Sequence, residues 1–144
     1  MENEIISRNK EQELIMTSIY DALIYVTNNL EFSLENILSS VFETSYDDIS
    51  TFAKEVTIKS LKHYNEIVPI YQEKMPKWRF DRLNNLEKAI LLMAYTENKL
   101  IKDKVDKAVL IDVSVRLSKK YLEDKDYKFV NAILDNVLWT KSIP

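Results

Sequence analysis

The chain of 144 residues contains no glycine, where average usage would supply about ten. Glycine enters left-handed backbone without steric cost and lets a main chain close on a phosphate. Its absence removes the P-loop and the dinucleotide fingerprint, both of which are built on it. Hairpins closed by primed turns are disfavoured for the same reason. Long helices joined by Asn, Asp, Ser and Pro turns are what such a chain makes best.

Other absences narrow the chemistry. There is no Cys, so disulfides, thiolate metal sites and cysteine nucleophiles are excluded together. The single histidine, His63, sits between Lys62 and Tyr64 with no second imidazole to build a site. The carboxylates lie among lysines, as in "EVTIKSLKHYNE", and read as solvated helix faces laced with ion pairs. No catalytic residue, metal ligand or cofactor is expected. The longest apolar run, Ala89 to Tyr95, suits a buried helix and is far short of the roughly 18–20 residues that span a bilayer. The opening "MENEIISRNK" has neither a basic nor an apolar leader region, so a cytoplasmic protein without membrane contact is expected.

Periodicity predicts six helices in one all-α domain over residues 1–144. The first covers Arg8 to Asn28, with Ile15, Ile19, Ala22, Leu23 and Val26 inward. The second follows Ser33, an N-cap with Asn36 three residues on, and carries Leu34, Ile37, Leu38 and Val41. The third starts near Asp47 or Asp48, and Pro69 breaks or kinks it. The fourth opens at Asn84, with Glu87 completing an approximate capping box. It is apolar all round from Ala89 to Tyr95, which marks the centre of the domain. The fifth spans Asp106 to Leu122, its inner arc including Leu110, Val113, Leu117 and Tyr121. The sixth is capped by Asp126 and runs to about Trp139.

Charge divides the chain. Residues 1–75 hold 6 basic and 13 acidic residues, and residues 76–144 hold 14 basic and 10 acidic. The two halves therefore carry −7 and +4, and the second can present a phosphate-binding patch.

Three stretches carry a resemblance: "RLNNLEKAILLMAYTEN" (82–98), "AVLIDVSVRLSKKY" (108–121) and "KFVNAILDNV" (128–137). In order and spacing they resemble the second half of the bacterial transcription antitermination factor NusB family. "SRNKEQELIMTSIYD" is similar, more thinly, to that family's basic opening helix. The resemblance implies six to seven helices in two side-by-side three-helix bundles, the halves meeting near residue 75. It also implies a function without catalysis. The factor pairs with a small-subunit ribosomal protein, called NusE in this setting, on single-stranded boxA-type RNA, and so supports rRNA transcription by the elongation complex.

Position by position, the family's RNA surface falls on Arg8 and Lys10 in the first helix. Its second part falls on Lys119, Lys120, Lys125, Tyr127, Lys128 and Phe129. Lysines release counterions from phosphates, and an aromatic beside a basic loop can stack on an unpaired base. Tyr127 is the better stacking candidate, and core packing is the favoured role of Phe129. The partner surface falls on Tyr20 and Glu87, whose ordinary roles are a half-buried tyrosine and a carboxylate favoured by a helix N-terminus. Asn131 is expected to be a buried or half-buried amide that hydrogen-bonds a neighbouring helix end or loop.

The departures bear on RNA more than on fold. Glu11, Gln12 and Glu13 dilute the basic first helix, and Leu92 stands where the family has arginine. Asp112, Val113, Leu122 and Ala132 also replace family residues. The alternative reading keeps the fold as a protein–protein interaction module that has lost most RNA binding. A third reading, the RNA-holding domain of an rRNA cytosine methyltransferase, would need a glycine-bearing cofactor domain after Trp139.

Overall fold

Helix starts are written into this chain as serine, asparagine and acid caps. The computed structural model describes residues 6–140; of the domain expected over 1–144, residues 1–5 and 141–144 lie outside the described residues. Its seven α-helices are α1 (Arg8–Thr27), α2 (Leu34–Phe42), α3 (Thr51–Lys62), α4 (Tyr64–Glu73), α5 (Asn85–Tyr95), α6 (Lys107–Tyr121) and α7 (Asp124–Val137). Ser7, Ser33 and Ser50 each accept from a backbone N–H three residues on, at 3.2, 3.2 and 3.0 Å. Asn84 and Asp106 cap α5 and α6 by accepting from Leu86 and Ala108 at 2.8 and 3.1 Å. Each cap satisfies a donor that the first turn leaves open.

Helix ends show where glycine is missing. Asn29 and Glu43 both take left-handed backbone at φ 54°. After α1, Leu30 N–H donates to Tyr25 and Asn29 N–H to Val26; after α2, Thr44 donates to Ser39 and Glu43 to Ser40. This is the Schellman pattern, which glycine ordinarily serves and asparagine tolerates. Glu43 has no such tolerance and is held there by the two hydrogen bonds.

Two three-helix groups result. α1 packs on α2 and α3, α6 and α7 pack tightly together on α5, and α1 against α5 joins the groups. α4 bridges from α3 to α5 and α7. The expected side-by-side bundles are therefore present. Ala89 to Tyr95 is buried throughout, as its all-round apolar pattern predicts.

Several boundaries differ from expectation. Asp47 and Asp48 lie in a short 3-10 turn, and α3 begins after Ser50 instead. The third helix divides at His63, while Pro69 lies inside α4. Proline's ring crowds the carbonyl four residues earlier, here Asn65, so the disturbance falls upstream of it. Asp126 is not the N-cap of α7. Glu123 is, and Asp126 closes the box by accepting from Glu123 N–H at 3.1 Å. Val26 and Tyr121, expected inside, are 37% and 44% exposed; both lie in the last turn of their helices, and Tyr121 reaches Glu13 of α1 only through its hydroxyl. α7 ends at Val137, and Trp139 beyond it is tied to Asn98 through both its backbone N–H and its carbonyl.

Candidate nucleic-acid interface

The C-terminal turn of α6 brings Lys119 and Lys120 to the corner where α1 starts. Lys120 Nζ meets Glu13 Oε1 of α1 at 2.8 Å, and the Tyr121 hydroxyl donates to the same oxygen. These contacts, the Lys120 hydrogen bond first, hold the Glu13 carboxyl below its usual range, and Lys10 adds a smaller attraction. Lys119 places its ammonium 4.7 Å from the centre of the Tyr127 ring on α7, within cation–π distance. Lys10, Lys119, Lys120 and Tyr127 are thus gathered at one corner by three helices.

The remaining expected residues divide. Phe129, on the other flank of α7, is half-buried and meets Trp78 edge-on with ring centres 6.4 Å apart. The favoured core role is thus only half met, since Phe129 packs at the rim of the core and also lines a groove. That groove of about 250 Å³ is shared with Trp78, Leu83, Glu87, Lys125 and Asp126. Lys125 pairs with Glu123 at 3.5 Å, and Lys128 is exposed. Arg8 turns away from the corner: its guanidinium lies 3.6 Å from the Phe52 ring centre and 3.4 Å from Glu11. Asn131 is exposed, a correction to the buried or half-buried amide expected. At about 100° per residue it falls well off the arc centred between Val130, Ile133 and Val137.

Tyr20 is half-buried against the core. Glu87 is only 5% exposed and reaches the surface as part of the Trp78 groove. Burial pushes its carboxyl up to about 7, with nearby Asp126 adding to the rise and Lys125 opposing it.

Not all carboxylates are on solvated faces, as the lysine-rich patterning had suggested. Glu97 is fully buried in a π-helical turn, Thr96–Leu100, that continues α5. Its Oε1 accepts from Gln12 Nε2 at 2.8 Å, and its Oε2 has no hydrogen-bond partner. Burial drives this carboxyl up to about 7. Glu11 is nearly as buried and accepts from Ser50 Oγ at 2.5 Å. Trp78, 62% exposed, is the aromatic that sequence reasoning missed. Its setting in "EKMPKWRFDR", ringed by cations between two helices, was the available signal.

Among the described residues no cluster of three or more His, Cys, Asp or Glu side chains could hold a metal ion. No helix there is long and apolar enough to cross a membrane. Fold and surface together define a two-bundle, all-helical protein with a basic, aromatic corner.

Relatives agree with that class. The sequence pattern of the NusB family matches residues 9–138. The transcription antitermination protein NusB of Finegoldia magna is 34% identical over 90 residues, 62% of this chain and 65% of that protein, just under two thirds of its length. Its counterpart in Methylacidiphilum infernorum is 34% identical over 139 residues, covering 93% of this chain and 92% of the relative. A solved structure of T. maritima NusB superposes with a TM-score of 0.78 at 20% identity, over 93% of this chain and 92% of that one. The chain belongs to the NusB family.

Proposed function

We propose that the protein is an RNA-binding transcription antitermination factor. It pairs with a small-subunit ribosomal protein of the NusE type on boxA-like single-stranded RNA, within the transcription elongation complex. The observation that carries this reading is the meeting of Lys10, Lys119, Lys120 and Tyr127 at one corner. A cation already seated over an aromatic ring, beside further lysines, suits a phosphate flanking a stacked base. Tyr20 and the Glu87 edge of the Trp78 groove are the residues we assign to the protein partner. No step of chemistry is assigned, and the protein acts by binding alone.

One observation favours a second reading, an interaction module that has lost most RNA binding. Glu13 spends one carboxylate oxygen on Lys120, and Glu11 engages Arg8, so part of the positive surface is neutralised from within. A titration of boxA-like RNA, with and without the ribosomal protein and across a salt series, separates the two. Weak binding that tightens with the partner supports the first. Lys119→Glu with Lys120→Glu is expected to lower affinity and to flatten the log–log salt slope by about 1 to 2, with the far-UV spectrum unchanged. Unaltered affinity in that variant places the RNA face elsewhere.

A further inference from the structure

The end of α1 and the face of α2 form a second surface, of opposite sign to the lysine corner. From Leu14 to Ala53 the sequence has six acidic residues and no lysine, arginine or histidine. None of the six takes part in an ion pair among the described residues. Large apolar side chains stand exposed in the same place, Leu30 at 57% and Ile24 at 41%. Tyr25 stacks on Phe32 with ring centres 5.7 Å apart. Between α1 and α2 lies an open groove of about 460 Å³, lined by Ile24, Tyr25 and Ile37 together with Asp21, Asn36 and Ser40. Asp21 is half-buried there, and burial, which disfavours its charged form, raises its carboxyl above the usual range.

We propose that the α1–α2 groove is a docking site for a cationic amphipathic helix of a partner protein. Its apolar face seats on Ile24, Tyr25, Phe32 and Ile37, and its lysine or arginine face meets Asp21, Glu31 and Glu35. The sign of the charge selects this occupant. Nucleic acid and an anionic lipid surface are repelled by a rim of carboxylates. A second copy in a two-fold dimer sets the same carboxylates against themselves. A groove between two packed helices suits a third helix, read through apolar anchors at i, i+3 or i+4, and i+7. Neither Tyr20 nor Glu87 belongs to this site, so it adds a contact to those in the proposed function and stands without them.

The test uses the full chain and a fluorescent peptide of about 18 residues, long enough to hold a helix when bound, with leucine at helical spacing and lysine elsewhere. Controls are the same composition scrambled and the same pattern with glutamate for lysine. The patterned cationic peptide is expected to bind, weakening with salt. Ile24→Ser with Phe32→Ser, and separately Glu31→Lys with Glu35→Lys, are each expected to weaken it at least about tenfold. All four positions are exposed, so the fold should persist, as circular dichroism would check. Equal binding by the scrambled peptide, or by both variants, overturns the proposal. So does sedimentation showing a dimer of the wild-type chain that Phe32→Ser dissolves, which would give the face to a second copy. RNA affinity is expected to stay unchanged in Ile24→Ser with Phe32→Ser, which leaves the charge as it is, and Lys119→Glu with Lys120→Glu to keep peptide binding, so this proposal and the RNA reading fail independently.

Discussion

α1 meets its neighbours through carboxylates on two sides, and the two sides obey opposite rules. On the outer side Glu13, on α1 itself, takes Lys120 and Tyr121 from α6 in contact with water. On the inner side Gln12 donates to Glu97, which the π-turn after α5 holds with no exposure at all. Positions 12 and 13 are adjacent, yet the acid in one contact is held below its usual pKa and the acid in the other is pushed up to about 7. The lysine hydrogen bond governs the first and desolvation the second. The ion pair at the rim lies where a ligand could compete for it, whereas the amide–carboxyl contact is closed off inside the fold.

The largest expected effect tests the dry side. A carboxyl whose folded pKa is raised keeps its proton in the native state while the unfolded chain loses it. Its favourable contribution is complete below about 4.5 and lost as pH rises through about 7. A shift of that size corresponds to on the order of 3 kcal/mol. Glu97→Gln cannot ionise, and its amide oxygen keeps the bond from Gln12. It should be more stable than wild type at pH 8 and converge with it near pH 5, which denaturant titrations at the two values would measure. Glu87, also raised to about 7, lies in the same window, so part of the pH slope remains in the variant. If wild type and variant run parallel across this range, Glu97 is ionised and the contrast between the two sides fails.

Second in size is the contact between those extremes. Ser50 accepts from Ala53 N–H as the cap of α3 and donates to Glu11 of α1. Ser50→Ala loses both bonds and should destabilise by about 1–2 kcal/mol. A loss below about half of one would mean that Arg8, 3.4 Å from Glu11, takes over the carboxylate.

How much of this could be read in advance depends on what each feature needs. Caps are local, so Ser33 and Asn84 were legible from a few residues. The burial of Ala89–Tyr95 was legible because an all-round apolar helix has only one place to go. Glu97 was not, since its burial is decided by α1 lying across a turn 85 residues away in sequence. Asn131 misled because it sits between two apolar pairs in the chain, while the helix turns it outward. At the corner, residue types were legible and their pairing was not. Lys119 over Tyr127 and Lys120 on Glu13 are tertiary choices that set one lysine against a ring and the other in an ion pair.

The wet side gives the smallest change in stability and the most informative change in binding. Glu13→Gln removes the charge that holds Lys120 while keeping an acceptor for the Tyr121 hydroxyl. Exposed pairs add little to folding, so the melting temperature should barely move. Glu13 has a depressed pKa, so its own contribution is present above about 4.5 and lost as pH falls, opposite in sign to Glu97. Released from Glu13, Lys120 becomes available to a phosphate, and RNA affinity should rise with a salt slope steeper by about 0.7. Should affinity fall instead, Glu13 is positioning Lys120 for the transcript, and the acids of the first helix are part of the binding surface and not a dilution of it.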